Sequence, residues 1–210
     1  MNWSKNGESR GYHHGNLREA LIKAALELIA EKGPSGATFA EAARRAGVSP
    51  AAPYRHFRDR DELLAAVAAL GFERFAAALE AGWGGGRPAP QEAFERMGRA
   101  YLDFARDNPS EYVAMFEAGI PVEAHPALSQ ASQRAFGVLR DAADVLVASM
   151  PGPSRPPALM IALHTWALAH GVASLFGRPD AARRKLPMAP EELLEAGFLI
   201  YLKGLAAPAT

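Results

Sequence analysis

The sequence predicts an all-α fold of about nine helices. Three observations lead there. Apolar residues recur three and four apart through most of the 210 residues, and no stretch of useful length alternates apolar with polar as a half-buried strand does. Glycine, proline and helix-capping residues stand where the helical pattern breaks.

The elements follow in order. Leu17, Ala20, Leu21, Ala24, Ala25, Leu28 and Ile29 share one face of a first helix over NLREALIKAALELIAEKG. Gly33 stands where a left-handed cap belongs, and Pro34 forbids continuation. Thr38 caps a second, short helix and Glu41, three residues on, has the capping-box spacing; Phe39, Ala42, Ala43 and Ala46 face inward before Gly47 stops it. Ser49 caps a third short helix, with Pro50 at the first position, where a missing N–H costs nothing. Pro53 deletes that helix's first bond, to the Ser49 carbonyl, so a locally distorted but unbroken third helix is expected. Asp59 and Glu62 repeat the capping pattern ahead of a long helix through Leu63, Leu64, Val67, Phe72 and Phe75.

After a Gly/Pro stretch from Ala81 to Pro90 the helical pattern resumes. Phe94, Met97, Tyr101 and Phe104 form one stripe, and Tyr112, Met115 and Phe116 a shorter one. Leu128 to Ser149 reads as a long helix, Ala158 to Phe176 as a strongly apolar one, and Pro190 to Leu205 as the last.

Composition narrows the function classes. There is no cysteine, which excludes disulfides and thiolate metal sites and fits a reducing compartment. The start lacks an apolar secretory core and no apolar run approaches about 18 uninterrupted residues, so a cytoplasmic protein without membrane contact is expected. Net charge is zero, yet Lys and Arg exceed Asp and Glu by 10 to 8 up to Leu70 and fall short by 13 to 15 beyond it. The first part is where phosphate contacts are to be sought.

Helix, short helix, tight glycine turn, short helix is the layout of a helix-turn-helix unit, which sets its second helix into a DNA major groove. Ser49, Pro50, Ala51 and Ala52 occupy the turn that approaches bases and phosphates, and the N–H groups of Ala51 and Ala52 are expected free. Tyr54, Arg55 and His56 lie one turn on, each a donor to phosphate oxygens, and Arg60 opens the next helix within reach of the same strand. Phe57 is assigned to the core. Capped short helices around a glycine also occur without DNA, and a helical scaffold that binds only protein is the competing reading.

The stretch ALIKAALELIAEKGPSGATFAEAARRAGVSPAAPYRHFRDRDELLAAVA resembles the N-terminal domain of TetR-type bacterial transcriptional regulators. The likeness rests on the Glu-Lys-Gly end of the first helix, the Thr38 cap, RAGVS, the Tyr-Arg-His-Phe block and the Asp-Arg-Asp-Glu-Leu-Leu run. YHHGNLR before it and WALAHGVASLF from Trp166 to Phe176 resemble the subgroup whose C-terminal domain carries a Trp-His-Gly signature. The resemblance implies a helix-turn-helix DNA-binding domain with a basic arm over residues 1–62 and a helical ligand-binding and dimerisation domain over 63–210. It implies a homodimer that represses by holding a palindromic double-stranded operator and releases it when a small molecule binds. Thr38, Ser49, Pro50, Ala51, Tyr54, Arg55, His56 and Arg60 fall on positions that commonly touch DNA in the family. Many members carry an aliphatic residue where Pro53 stands, a departure that bears on the pose of the first turn. Lys5, Arg10, His13 and His14 read as a basic arm before Leu17.

In the C-terminal half, the last two long helices are the dimerisation candidates: ALMIALHTWALAHGVASLF is apolar on nearly every side, and Gly197, Ile200, Tyr201 and Gly204 of the final helix would permit close approach. A pocket for a small apolar or aromatic effector is expected among Phe94, Met97, Tyr101, Phe104, Met115, Phe116, Phe136, Trp166 and His170. The same spacing serves core packing, so each of these residues has two readings. No HExxH, phosphate-binding glycine loop or serine elbow is present, and neither catalysis, a metal nor a cofactor is expected.

Overall fold

The computed structural model describes residues 17–150, 155–177 and 187–206, and the basic arm expected around Lys5, Arg10, His13 and His14 lies outside them. The α-helices are α1 (Leu17–Lys32), α2 (Phe39–Arg45), α3 (Arg60–Trp83), α4 (Pro90–Asp107), α5 (Pro109–Phe116), α6 (Pro126–Ser149), α7 (Ala158–Gly177) and α8 (Pro190–Ala206). No strand occurs among the described residues.

Local chemistry sets the boundaries. α4, α5, α6 and α8 each begin on a proline, whose fixed φ suits the first turn and whose absent N–H is one of the donors a helix start leaves unpaired. Asp59 caps α3 by accepting the Glu62 N–H at 2.8 Å, and the Glu62 carboxylate returns to the Arg58 N–H at 2.6 Å. At the far end Gly84 takes the left-handed conformation, φ 53°, that closes α3.

The third short helix expected from Ser49 is not formed. The chain makes a turn in which the Ala52 N–H reaches the Ser49 carbonyl at 3.0 Å, and a single 3-10 turn, Pro53–Arg55, follows. Pro53 has no N–H for the Ser49 carbonyl, so that carbonyl pairs one residue earlier and the tighter i to i+3 spacing takes over. Among the described residues eight α-helices therefore stand where about nine were expected.

α3 is the central element, packed against α1, α4, α5 and α6. Its Leu63, Leu64 and Val67 are buried towards the N-terminal end, and Phe72, Phe75 and Leu79 further along. One continuous apolar core runs from Leu17 to Leu202. The boundary expected at residues 62 and 63 falls within the first turn of α3, so this helix is common to both halves. α7 is long and apolar enough, by length and composition, to cross a membrane. In the fold its Ile161, Ala162, Ala169 and Val172 are buried, and it packs against α4, α6 and α8.

Candidate nucleic-acid interface and ligand cavity

Helix α2 is held at both ends. The Thr38 hydroxyl accepts the Glu41 N–H at 3.3 Å. At the other end Gly47, φ 69°, allows the Gly47 N–H to reach the Arg44 carbonyl and the Val48 N–H the Ala43 carbonyl, the paired bonds of a Schellman cap. A side chain at Gly47 would meet open space, so it is the left-handed backbone that requires glycine there. Arg45 ties α2 to α1 through Glu31 at 2.5 Å and Glu27 at 3.5 Å. The arginine holds the Glu31 carboxyl below its ordinary value, mainly by this hydrogen bond.

From Gly47 the chain enters the segment Ser49–Phe57. Ser49, Pro50, Ala51, Tyr54 and Arg55 are exposed, Ala52 and His56 are half-buried, and Pro53 and Phe57 are buried. Two inward residues thus pin the segment to the core and turn five outward. Arg18 lies over the Phe57 ring at 5.4 Å, adding a cation–π contact beneath the turn. Tyr54 is 64% exposed, yet its ring meets Phe39 edge-on at 4.9 Å. The phenol is thereby held outward from a fixed base.

Two expectations change on this geometry. The Ala52 N–H is not free, because it donates to the Ser49 carbonyl. Arg60 turns away from the exposed face: its Nη2 donates to the Pro34 carbonyl at 2.6 Å, its Nε to the Ala37 carbonyl at 3.1 Å, and its Nη1 to Asp61 at 3.3 Å. The guanidinium clips the loop between α1 and α2 to the start of α3. The Arg55 N–H donates to the Ala52 carbonyl at 3.2 Å, while its guanidinium has no ion-pair or hydrogen-bond partner among the described residues and the residue is exposed. No sequence pattern announces the Arg60 contacts, which join residues 23 and 26 positions apart.

In the second half a small cavity lies between four helices. α3 contributes Phe72, Phe75 and Leu79, α4 contributes Met97, Gly98 and Tyr101, α6 contributes Ser132, Ala135, Phe136 and Leu139, and α7 contributes Thr165, Trp166 and Ala169. Its free space is about 20 Å³, room for about one water. Of the nine residues expected at a pocket, Met97, Tyr101, Phe136 and Trp166 line it. The other five are arranged around it. Phe94 stacks on Phe198, Phe104 packs on Phe75, Met115 approaches Gly71, and Phe116 touches Phe72, Tyr112 and His170. His170 binds two phenols through Nδ1, Tyr112 at 2.8 Å and Tyr101 at 3.0 Å. Burial lowers its pKa and raises those of both tyrosines, so all three rings are neutral at pH 7. In the sequence Phe72 and Phe75 read only as the buried stripe of a helix, and nothing in the pattern singles out Leu79 or separates Thr165 from its neighbours.

On α7 and α8, Leu159, Leu163, Leu199 and Ile200 are exposed, Ile200 by 71%.

Two family models match the chain: bacterial regulatory proteins of the tetR family over residues 21–67, and the tetracyclin repressor-like C-terminal domain over residues 94–197. Over 55 residues the chain is 51% identical to an uncharacterized HTH-type transcriptional regulator of Haemophilus influenzae, covering 26% of this chain and 27% of that protein. Over 50 residues it is 45% identical to the HTH-type transcriptional regulator BetI of Rhizobium meliloti, covering 24% and 25%. The match thus spans about a quarter of the length of these curated relatives. Among solved structures, a protein with unknown function from Rhodococcus sp. RHA1 superposes with a TM-score of 0.78 at 32% identity, over 94% of this chain and 100% of that one. The TetR family transcriptional regulator PfmR from Thermus thermophilus shares the fold, with a TM-score of 0.66 at 24% identity over 88% and 98%.

Proposed function

The chain belongs to the TetR family of DNA-binding transcriptional regulators, and on that premise we propose that it is a ligand-released repressor holding a palindromic operator as a homodimer. The observation that carries the reading is the outward set Ser49, Pro50, Ala51, Tyr54 and Arg55, held on the buried pegs Pro53 and Phe57. In this reading Thr38, Ala52 and His56 complete the DNA face. The donors among them meet phosphate oxygens, and the small Pro50, Ala51 and Ala52 let the backbone approach base edges. Arg60 acts as a positioning residue, keeping the α1–α2 loop and therefore Thr38 in register with that face. A regulator of this family is not an enzyme, and the mechanism calls on no metal or cofactor.

One segment in one groove makes too few contacts for useful specificity, so two copies are needed. The dimer is proposed to form through α7 and α8, whose exposed Leu159, Leu163, Leu199 and Ile200 would meet their counterparts across a two-fold axis. In this reading the protein is cytoplasmic and α7 is covered by protein on both sides.

Release follows from α3. Phe72 and Phe75 stand in the cavity wall while Arg60, at the start of the same helix, holds the α1–α2 loop that leads to Thr38. The twelve residue steps from Arg60 to Phe72 span about 18 Å of rigid helix. A ligand that opens the cavity displaces Phe72 and Phe75, and α3 carries the displacement to the recognition segment. Its affinity for the displaced state is what shifts the equilibrium away from DNA.

The test is fluorescence anisotropy with duplexes tiling the DNA upstream of the protein's own gene, at salt from about 50 to 300 mM. Binding whose log K falls linearly with log salt supports the reading, as counterion release requires. Absent or salt-insensitive binding to every duplex counts against it.

A further inference from the structure

We infer that the cavity takes an uncharged, largely aromatic molecule carrying one hydroxyl or carbonyl oxygen, and that Thr165 is the residue that recognises this oxygen. The inference rests on the ligand-release reading above and deepens it by naming the class of ligand.

The polar inventory of the wall is short. Tyr101 is engaged by His170, and Ser132 donates to the Ser129 carbonyl at 2.9 Å. Thr165 is 6% exposed, lines the cavity, and its Oγ1 has no hydrogen-bond partner among the described residues. A threonine inside a helix has a local escape, the carbonyl one turn back, and a buried hydroxyl without a partner loses its hydration for nothing in return. Here the hydroxyl forgoes that bond and stays unpaired in a wall otherwise made of aromatic rings, aliphatic groups and satisfied hydroxyls. It leaves one hydrogen bond to be made, and a hydroxyl can make it as donor or acceptor.

The rest of the wall sets the other properties. No charged side chain among the described residues lines the cavity, so a carboxylate or ammonium entering it would lose its water without a counter-ion. Phe72, Phe75, Phe136 and Trp166 supply flat faces and edges suited to an aromatic guest. Entry requires opening, since the free space is only about 20 Å³. Phe136 and Trp166, rings 5.1 Å apart, are the partly exposed members of that aromatic wall, whereas Phe72 and Phe75 are buried. They form the door.

The experiment uses the full chain and three probes of one shape, 2-naphthol, 2-methylnaphthalene and 2-naphthoate, titrated by calorimetry into the wild type, Thr165→Val and Thr165→Ser. The wild type is expected to bind 2-naphthol about fivefold more tightly than 2-methylnaphthalene, the worth of one neutral hydrogen bond, and to reject 2-naphthoate. Thr165→Val should bind the first two equally, and without ligand should melt about 3 °C higher than the wild type, because the unpaired hydroxyl is gone. Thr165→Ser should keep the preference. If the preference survives in Thr165→Val, or 2-naphthoate binds as well as 2-naphthol, the assignment is wrong. If none of the three binds the wild type, the aromatic class is wrong, while the ligand-release reading stands or falls separately on whether any ligand that raises the melting temperature also lowers operator affinity. Equal wild-type binding of 2-naphthol and 2-methylnaphthalene removes both the oxygen and the role of Thr165, leaving only an uncharged aromatic guest.

Discussion

Replacing Arg60 by methionine separates two roles that an arginine beside DNA can have. In the structure its guanidinium is spent on the Pro34 and Ala37 carbonyls at 2.6 and 3.1 Å, with the side chain 34% exposed. A charge-assisted bond to a carbonyl is worth about 1.5–3 kcal/mol when buried, and partial solvent screening reduces each of these to about 1 kcal/mol. The neighbouring, exposed Asp61 adds little. Arg60→Met should therefore lose about 2 kcal/mol of stability and lower the melting temperature by about 4–8 °C. Its operator affinity should fall because the loop carrying Thr38 shifts, while the slope of log K against log salt stays that of the wild type. Arg55→Met is the contrast. Arg55 is exposed and its guanidinium unpaired among the described residues, so its loss should leave melting unchanged and reduce the slope by roughly 2, one phosphate for each copy in the dimer. Differential scanning fluorimetry and a salt series of anisotropy titrations read both quantities. An Arg60→Met protein that melts like the wild type and loses slope would refute the clip and return Arg60 to the phosphate backbone.

Two further outcomes are expected. The Asp59 carboxyl is held below its ordinary value by the Glu62 N–H first and by Arg58 second. A lowered folded-state pKa means that its capping contribution is fully present above about pH 4 and is lost as pH falls through the lowered value. The melting-temperature difference between the wild type and Asp59→Asn should therefore be constant at neutral pH and shrink below about pH 4; a difference that stays independent of pH down to about 2 would remove the capping account. Ile200→Glu places a charge in the proposed α7–α8 interface, and light scattering after size exclusion should then find monomers that no longer hold the operator. A dimer that survives it places the interface elsewhere.

Much of the fold was legible because the signals are local. The caps Thr38 and Asp59, the stop at Gly47 and the apolar stripe of α1 are each written within a few turns of sequence, and the structure has all of them. Pro53 was legible too, but its weight was not. One missing N–H in a segment this short leaves no second turn to hold a helix together, and the segment became a turn and a 3-10 turn instead of a distorted helix. The fate of Arg60 could not be read, because its partners are carbonyls of a loop that only tertiary packing brings near. The cavity was half visible. Met97, Tyr101, Phe136 and Trp166 were named from their chemistry, whereas Phe72 and Phe75 look like any buried stripe, and a threonine's missing partner is a property of the packed state alone.

The central claim, that two copies present Ser49–Arg55 to one duplex, is tested most directly by selecting bound DNA from a random pool with the purified protein and sequencing it. The expected result is an inverted repeat whose half-site centres lie one helical turn, about 10 base pairs, or a small multiple of it apart. A single unrepeated site, a direct repeat, or no enrichment at all would contradict it.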